Sequence, residues 1–272
     1  NTFRFMIGNL SDFNPSKHSV KEHELHEVDR YMLVKLQQLI KKVRNAYDNF
    51  EFSTIYHNVH NYCAIDLSSF YLDFAKDVLY IESADSSRRR SIQTVYYEIV
   101  TSLVKLLSPI LSHTMDEVWD YIPGVEEESV QLTDMPEAKE MKEQDQLLAK
   151  WDHFMEVRDD ILKALEEARA EKVIGKSLES KILVVPKNNA TKEMLTSIDH
   201  LHQLLIVSDV EIVENSADAK EYDYVSVQVI KHTGEKCQRC WVSSESVGDD
   251  NDYPELCTRC ADIVKENYAN VE

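Results

Sequence analysis

Apolar positions recur at three- and four-residue steps through most of the first half of the chain. From Asp29, the residues Leu33, Leu36, Ile40, Val43 and Tyr47 keep that spacing, while Lys35, Lys41, Lys42 and Arg44 fall mainly elsewhere. The pattern predicts a long amphipathic helix ending at the polar turn Asp48-Asn49. A second helical stretch is predicted over Ser53–Tyr80, and its aromatic content suits a helix buried between neighbours. Asp85-Ser86-Ser87 reads as a helix start, followed by the stripe Ile92, Val95, Ile99, Leu103, Leu106 and Ile110, which Pro109 should kink or end. Thr114-Met115-Asp116-Glu117 has the form of a capping box for a helix carrying Val118, Trp119 and Ile122, stopped by Pro123-Gly124. Four or five such helices with short links predict an α-helical bundle over residues 1–135. Phe3, Met6, Ile7 and Leu10 already follow helical spacing with no capping residue ahead of them, so the chain is expected to be a piece of a longer polypeptide.

Residues 126–146 are acidic and polar and read as a linker into a helix running to about Glu171. After it the period changes. Ile182–Val185 before Pro186, Leu204–Val207, Val210–Val213 and Tyr224–Ile230 read as strands, with residues 190–202 helical between them. The expected architecture is mainly α: a helical bundle, then a linker and small α/β unit over 136–230, then a separate module from 231 to 272.

Composition fits that reading. Five glycines and six prolines in 272 residues argue against an all-β or disordered chain. No apolar run approaches the ~18 residues of a membrane span. The net charge of −19 is spread over both halves, with 13 basic against 20 acidic residues in 1–135 and 17 against 29 in 136–272. That removes the simplest signature of nucleic-acid binding, an overall basic surface. Any RNA contact must use local basic patches and stacking. Arg88-Arg89-Arg90 is the densest basic run, and a solvated helix turn is the plainer reading of it. His57 and His60 sit at helical spacing and read as core or surface residues. Gly175-Lys176-Ser177 resembles the end of a phosphate loop, but Ala170 stands where that motif needs glycine. Gly175 reads instead as the left-handed end of the preceding helix.

The sharpest chemistry lies near the end. Cys237-Gln238-Arg239-Cys240-Trp241 and Cys257-Thr258-Arg259-Cys260 form two Cys-x-x-Cys pairs sixteen residues apart. Each pair can bind one metal ion from a tight turn, and four thiolates suit a closed, structural Zn²⁺ site with no open position for a catalytic water. Two disulfides are the alternative; the fifth cysteine, Cys63, lies far away, and an odd thiol with no signal peptide argues for a reducing compartment. Metal binding would supply on the order of 10 kcal/mol to a tail too small to build a core of its own. Trp241 either packs over the metal turn or exposes a ring on which a nucleobase stacks. Arg239 and Arg259 hold equivalent places inside the two turns, where they can reach phosphates or base edges.

These cysteine pairs with Trp241 resemble the C-terminal zinc finger of bacterial isoleucyl-tRNA synthetases, a finger type shared with formamidopyrimidine-type DNA glycosylases. Asn1-Thr2-Phe3-Arg4-Phe5, Asp66–Asp73, Lys76–Tyr80, Glu117-Val118-Trp119 and Lys172–Glu179 resemble the anticodon-binding and C-terminal regions of the same class I family, in the same order. The resemblance implies a tRNA-binding part of an isoleucine–tRNA ligase, which joins isoleucine to its tRNA with ATP and edits mischarged products. The family's His-Ile-Gly-His and Lys-Met-Ser-Lys-Ser signatures are absent, so it implies no catalytic residue here and ATP use only by other domains. The implied partners are isoleucine tRNA, through its anticodon stem-loop, and the rest of the synthetase chain. A cytoplasmic monomer with no membrane contact is expected, with Cys237, Cys240, Cys257 and Cys260 as ligands of one Zn²⁺ and Trp241 as the stacking residue. The alternative of another class is a zinc-ribbon protein-interaction module on a helical scaffold.

Overall fold

In the computed structural model, which describes residues 1–268, the chain forms two compact units, Asn1–Leu148 and a second from Ala149 on. The first is helical. After α1 (Thr2–Gly8) and α2 (Pro15–His18) comes the long α3 (Glu27–Asp48), whose apolar stripe is buried as its spacing predicts. Helical backbone then runs from Phe52 to Ile81, but not as one α-helix. Between α4 (Phe52–Asn61) and α5 (Leu72–Ile81) the ten residues Tyr62–Tyr71 form a π-helix. Tyr62 and Leu67 are both buried, five residues apart. Bonding from i to i+5 brings such a pair onto one face, whereas an α-helix would turn one of them outward.

The centre of this unit is α6 (Ser87–Leu107), in which Val95, Ile99, Leu103 and Leu106 have no exposed surface. It ends two residues before Pro109, as expected. A buried polar cluster ties three helices together. The Tyr71 hydroxyl donates to Asp29 Oδ1 at 2.6 Å, and the Ser91 hydroxyl to Asp29 Oδ2 at 2.7 Å. Burial pushes the Asp29 carboxyl above its ordinary range, against the pull of both hydrogen bonds.

The helix expected to start at Thr114 begins earlier, as α7 (Ser112–Trp119), with no side-chain cap. Asp116 is not part of a capping box; it accepts from the Ser129 hydroxyl and from Val130 N–H, fastening the following loop. The arginine run is not a solvated turn either. Arg89 is bidentate on Asp12, at 2.6 and 3.0 Å, and Arg90 is buried, bonding Gln93 and the Asp12 carbonyl.

The second unit is built on α8 (Gln144–Ala170), which buries Trp151, Phe154, Val157, Ile161 and Leu165. It ends in a left-handed residue, but that residue is Lys172 (φ 62), not Gly175; Val173 N–H closes back on the Ala168 carbonyl at 2.9 Å. The strands are β1 (Ser180–Pro186), β2 (Asp209–Ile212), β3 (Lys220–Glu221) and β4 (Val225–Lys231), in sheet order β2-β1-β4-β3. β1 pairs in parallel with β2 and antiparallel with β4, so Ile182 faces Val210 on one side and Val229 on the other. The parallel crossover carries α9 (Asn189–Thr196) and α10 (Leu201–Leu205). Leu204–Val207 is therefore not a strand. Leu201, Leu204 and Leu205 are buried at helical spacing, and Ile206 leaves the helix at φ 55. Asp160 of α8 accepts from the N–H groups of Tyr224 and Val225, at 2.7 and 3.3 Å, and so anchors the start of β4.

No described helix is long and apolar enough to cross a membrane.

Candidate metal centre and RNA-facing surface

The last element of the second unit is a two-stranded ribbon, β5 (Glu235–Lys236) and β6 (Ser243–Ser244), followed by α11 (Thr258–Tyr268). The first cysteine pair sits in the tip of this ribbon. Cys237 N–H donates to the Val242 carbonyl at 3.0 Å, and Trp241 N–H to the Cys237 carbonyl at 2.9 Å. The turn between them is thereby closed into a knuckle. The ribbon needs glycine at 234, because a Cβ there would lie 2.2 Å from the Ser244 carbonyl carbon. Ser243 N–H donates to the Ser208 hydroxyl at 2.8 Å and joins the ribbon to the sheet domain.

The second pair starts α11. Ser246 Oγ accepts from Thr258 N–H at 3.2 Å, and Cys257 N–H donates to Cys237 Sγ at 3.4 Å. The four sulfurs of Cys237, Cys240, Cys257 and Cys260 all lie within 4.8 Å of one another. A tetrahedral site with Zn–S bonds of about 2.3 Å has sulfurs about 3.8 Å apart. Cys240 and Cys257 stand 3.8 Å apart, and Cys237, Cys257 and Cys260 are buried. No disulfide joins them. The donor set and its spacing therefore fit a structural zinc ion. The hydrogen bond between Cys240 and Cys257 lowers the Cys257 thiol and raises that of Cys240. A divalent cation stabilises all four as thiolates together.

The other predicted residues fall around this cluster. Trp241, directly after the fourth position of the knuckle, is 60% exposed, and its backbone is left-handed (φ 66). Lys236 Nζ lies 5.4 Å from the centre of its ring, a cation–π contact that spacing alone gave no reason to expect. Arg239 is half-buried, and its Nη1 points at Cys260 Sγ, 3.8 Å away. Part of its charge therefore offsets the thiolates. Arg259 is half-buried in the first turn of α11.

A family model described as the anticodon-binding domain of tRNA ligase matches residues 29–184. The chain belongs to that family. Within this anticodon-binding family chain, a second model, described as the zinc finger found in FPG and IleRS, matches residues 234–263, the ribbon and both cysteine pairs. Isoleucine–tRNA ligase 1 of Oceanobacillus iheyensis is 56% identical over 270 residues, which are 99% of this chain and 29% of that protein. The isoleucine–tRNA ligases of Bacillus cytotoxicus and Bacillus mycoides are 59% and 58% identical over 273 residues, 98% of this chain and 30% of each relative. The chain thus spans under a third of the length of the curated relatives it matches. The matches do not favour a zinc-ribbon protein-interaction module.

Proposed function

We propose that this chain is the tRNA-binding part of an isoleucine–tRNA ligase. It holds the anticodon stem-loop of isoleucine tRNA while domains outside this chain carry out ATP-dependent aminoacylation and editing. Cys237, Cys240, Cys257 and Cys260 ligate one zinc ion, which when bound fixes the two turns that carry them. Trp241 stacks on a base of the anticodon loop, Lys236 supports its ring, and Arg239 and Arg259 meet phosphates at the rim of the site. The bundle of residues 1–135 grips the stem by shape and backbone, the usual way an A-form helix is held. The protein works as a cytoplasmic monomer, where thiols stay reduced and available to zinc.

The observation that carries this reading is the exposed, left-handed Trp241 beside four converging thiols. A module this small gains nothing by holding an indole in water, and base–aromatic stacking gives the ring a partner. Nuclease footprinting of isoleucine tRNA on the chain tests it. Protection of the anticodon loop is expected; protection elsewhere only, or none at low salt, contradicts the proposal.

A further inference from the structure

The turn Gly175-Lys176-Ser177 offers backbone N–H groups as an anion cradle does, and the chain fills the cradle itself. The Glu179 carboxylate accepts from Gly175 N–H at 3.0 Å and from Lys176 N–H at 3.3 Å. The short 3₁₀ turn Ser177–Glu179 is thereby pinned at its start. It leads into three successive carbonyls that all accept hydrogen bonds. Glu179 accepts from His232 N–H at 2.8 Å, Ser180 from Ser208 N–H at 3.0 Å, and Leu178 from the Ser208 hydroxyl at 2.5 Å.

Ser208 stands just before β2. Its N–H bond to Ser180 could be made by any residue but proline. Its hydroxyl acts separately. It donates its one proton to Leu178 and accepts Ser243 N–H at 2.8 Å, from thirty-five residues further on. Ser243 lies in β6 and is buried, so its N–H depends on that oxygen.

The ribbon of the metal centre is otherwise joined to β4 by His232-Thr233-Gly234, and each of its strands has two residues. So small an element pivots on its connection unless a second point fixes it. His232 N–H fixes the chain where it enters the ribbon, and Ser208 fixes the return strand. Trp241 lies two residues before Ser243, on the knuckle closed by Cys237 and Val242. The cysteine cluster is tied by bonds inside the module, such as Cys257 N–H to Cys237 Sγ. Ser208 therefore bears on the direction of the ribbon rather than on the ligand set.

We infer that Ser208 is a positioning residue for RNA binding: its hydroxyl fixes the angle at which the zinc ribbon leaves the sheet, and so sets where the Trp241 ring meets its base. The inference rests on the proposed function and adds the device that aims the ring. A ring already aimed before the RNA arrives loses less freedom on binding.

The test uses the 272-residue chain loaded with zinc and isoleucine tRNA at one low salt concentration. Ser208→Thr and Ser208→Val have nearly the same shape and differ in the hydroxyl. Ser208→Thr should bind as the parent does. Ser208→Val and Ser208→Ala should bind roughly three- to tenfold more weakly, with zinc still at one ion per chain. In a Trp241→Ala background, adding Ser208→Ala should weaken binding by about twofold or less, because the ring it aims is gone. If Ser208→Val binds as well as Ser208→Thr, the hydroxyl aims nothing and the inference falls. It falls too if Ser208→Ala weakens binding equally with and without Trp241, which marks general loosening. Loss of zinc from Ser208→Ala would also overturn it, since the hydroxyl would then hold the cluster together. If the parent does not bind, or Trp241→Ala binds as well as the parent, the proposed function fails and takes the inference with it.

Discussion

Cys240 Sγ lies 3.8 Å from Cys257 Sγ, although the two residues are seventeen apart in the chain and belong to different turns. Two short strands, one helix turn and a few hydrogen bonds between the turns, such as Gln238 N–H to the Glu255 carbonyl at 3.1 Å, bring them together, so a bound ion carries much of the work of holding them. Cys240→Ser should abolish binding of the one zinc ion and unfold the tail from residue 231, leaving the helical signal of the bundle in place. Metal analysis with circular dichroism checks this. Loss of most of the helical signal would contradict it.

Trp241→Ala should leave zinc content at one ion per chain, because the indole is not a ligand and the knuckle bonds use backbone atoms. Affinity for isoleucine tRNA should drop by about 1–3 kcal/mol, the range for one stacked base. Filter binding at fixed salt reads the difference; an unchanged affinity removes Trp241 from the interface.

The pair of Asp12 and Arg89 predicts an acid limb in stability. The Arg89 hydrogen bond holds the Asp12 carboxyl down at about 2, from an ordinary 3.8. A carboxyl with a depressed folded-state pKa contributes stability above its unfolded value and loses it as pH falls through the folded one. The contribution is about 1 kcal/mol after allowing for solvent screening at a partly exposed pair. Asp12→Asn should lower stability by that amount at pH 7 and flatten the profile between about pH 4 and pH 2. Urea unfolding across that range measures it.

Asp29 has the opposite sign. Burial raises its carboxyl, and Tyr71, Ser91, His26 and Arg88 pull against that rise. The folded protein therefore takes up this proton before the unfolded chain does. Its contribution is fully present below the ordinary value of 3.8 and is lost as pH rises through the raised folded value. Asp29→Asn, which can still accept from Tyr71, should remove that pH-dependent part above 3.8, where Asp12 is silent. A parent and variant with parallel profiles there would contradict the assignment.

What could be read in the sequence was what is local. Cysteine spacing states the ligand geometry directly, and the stripe of α3 states its buried face. The missed features depend on contacts between distant residues. Arg89 and Arg90 read as solvated until Asp12, far away in the chain, is seen beside them. The π-helix of 62–71 and the left-handed ends at Phe50, Lys172 and Ile206 leave no glycine or proline to mark them. Leu204–Val207 reads as strand because a short apolar run carries no period of its own.

The central claim is that a metal-fixed tail presents Trp241 to the anticodon loop. The most direct measurement is the affinity of the chain for isoleucine tRNA before chelation, after chelation and after zinc is restored, at one salt concentration. Affinity should fall on chelation and recover with zinc, and the fall should be smaller in Trp241→Ala, which keeps only the arginines of the two turns to lose. An affinity that is the same with and without the metal would contradict the account.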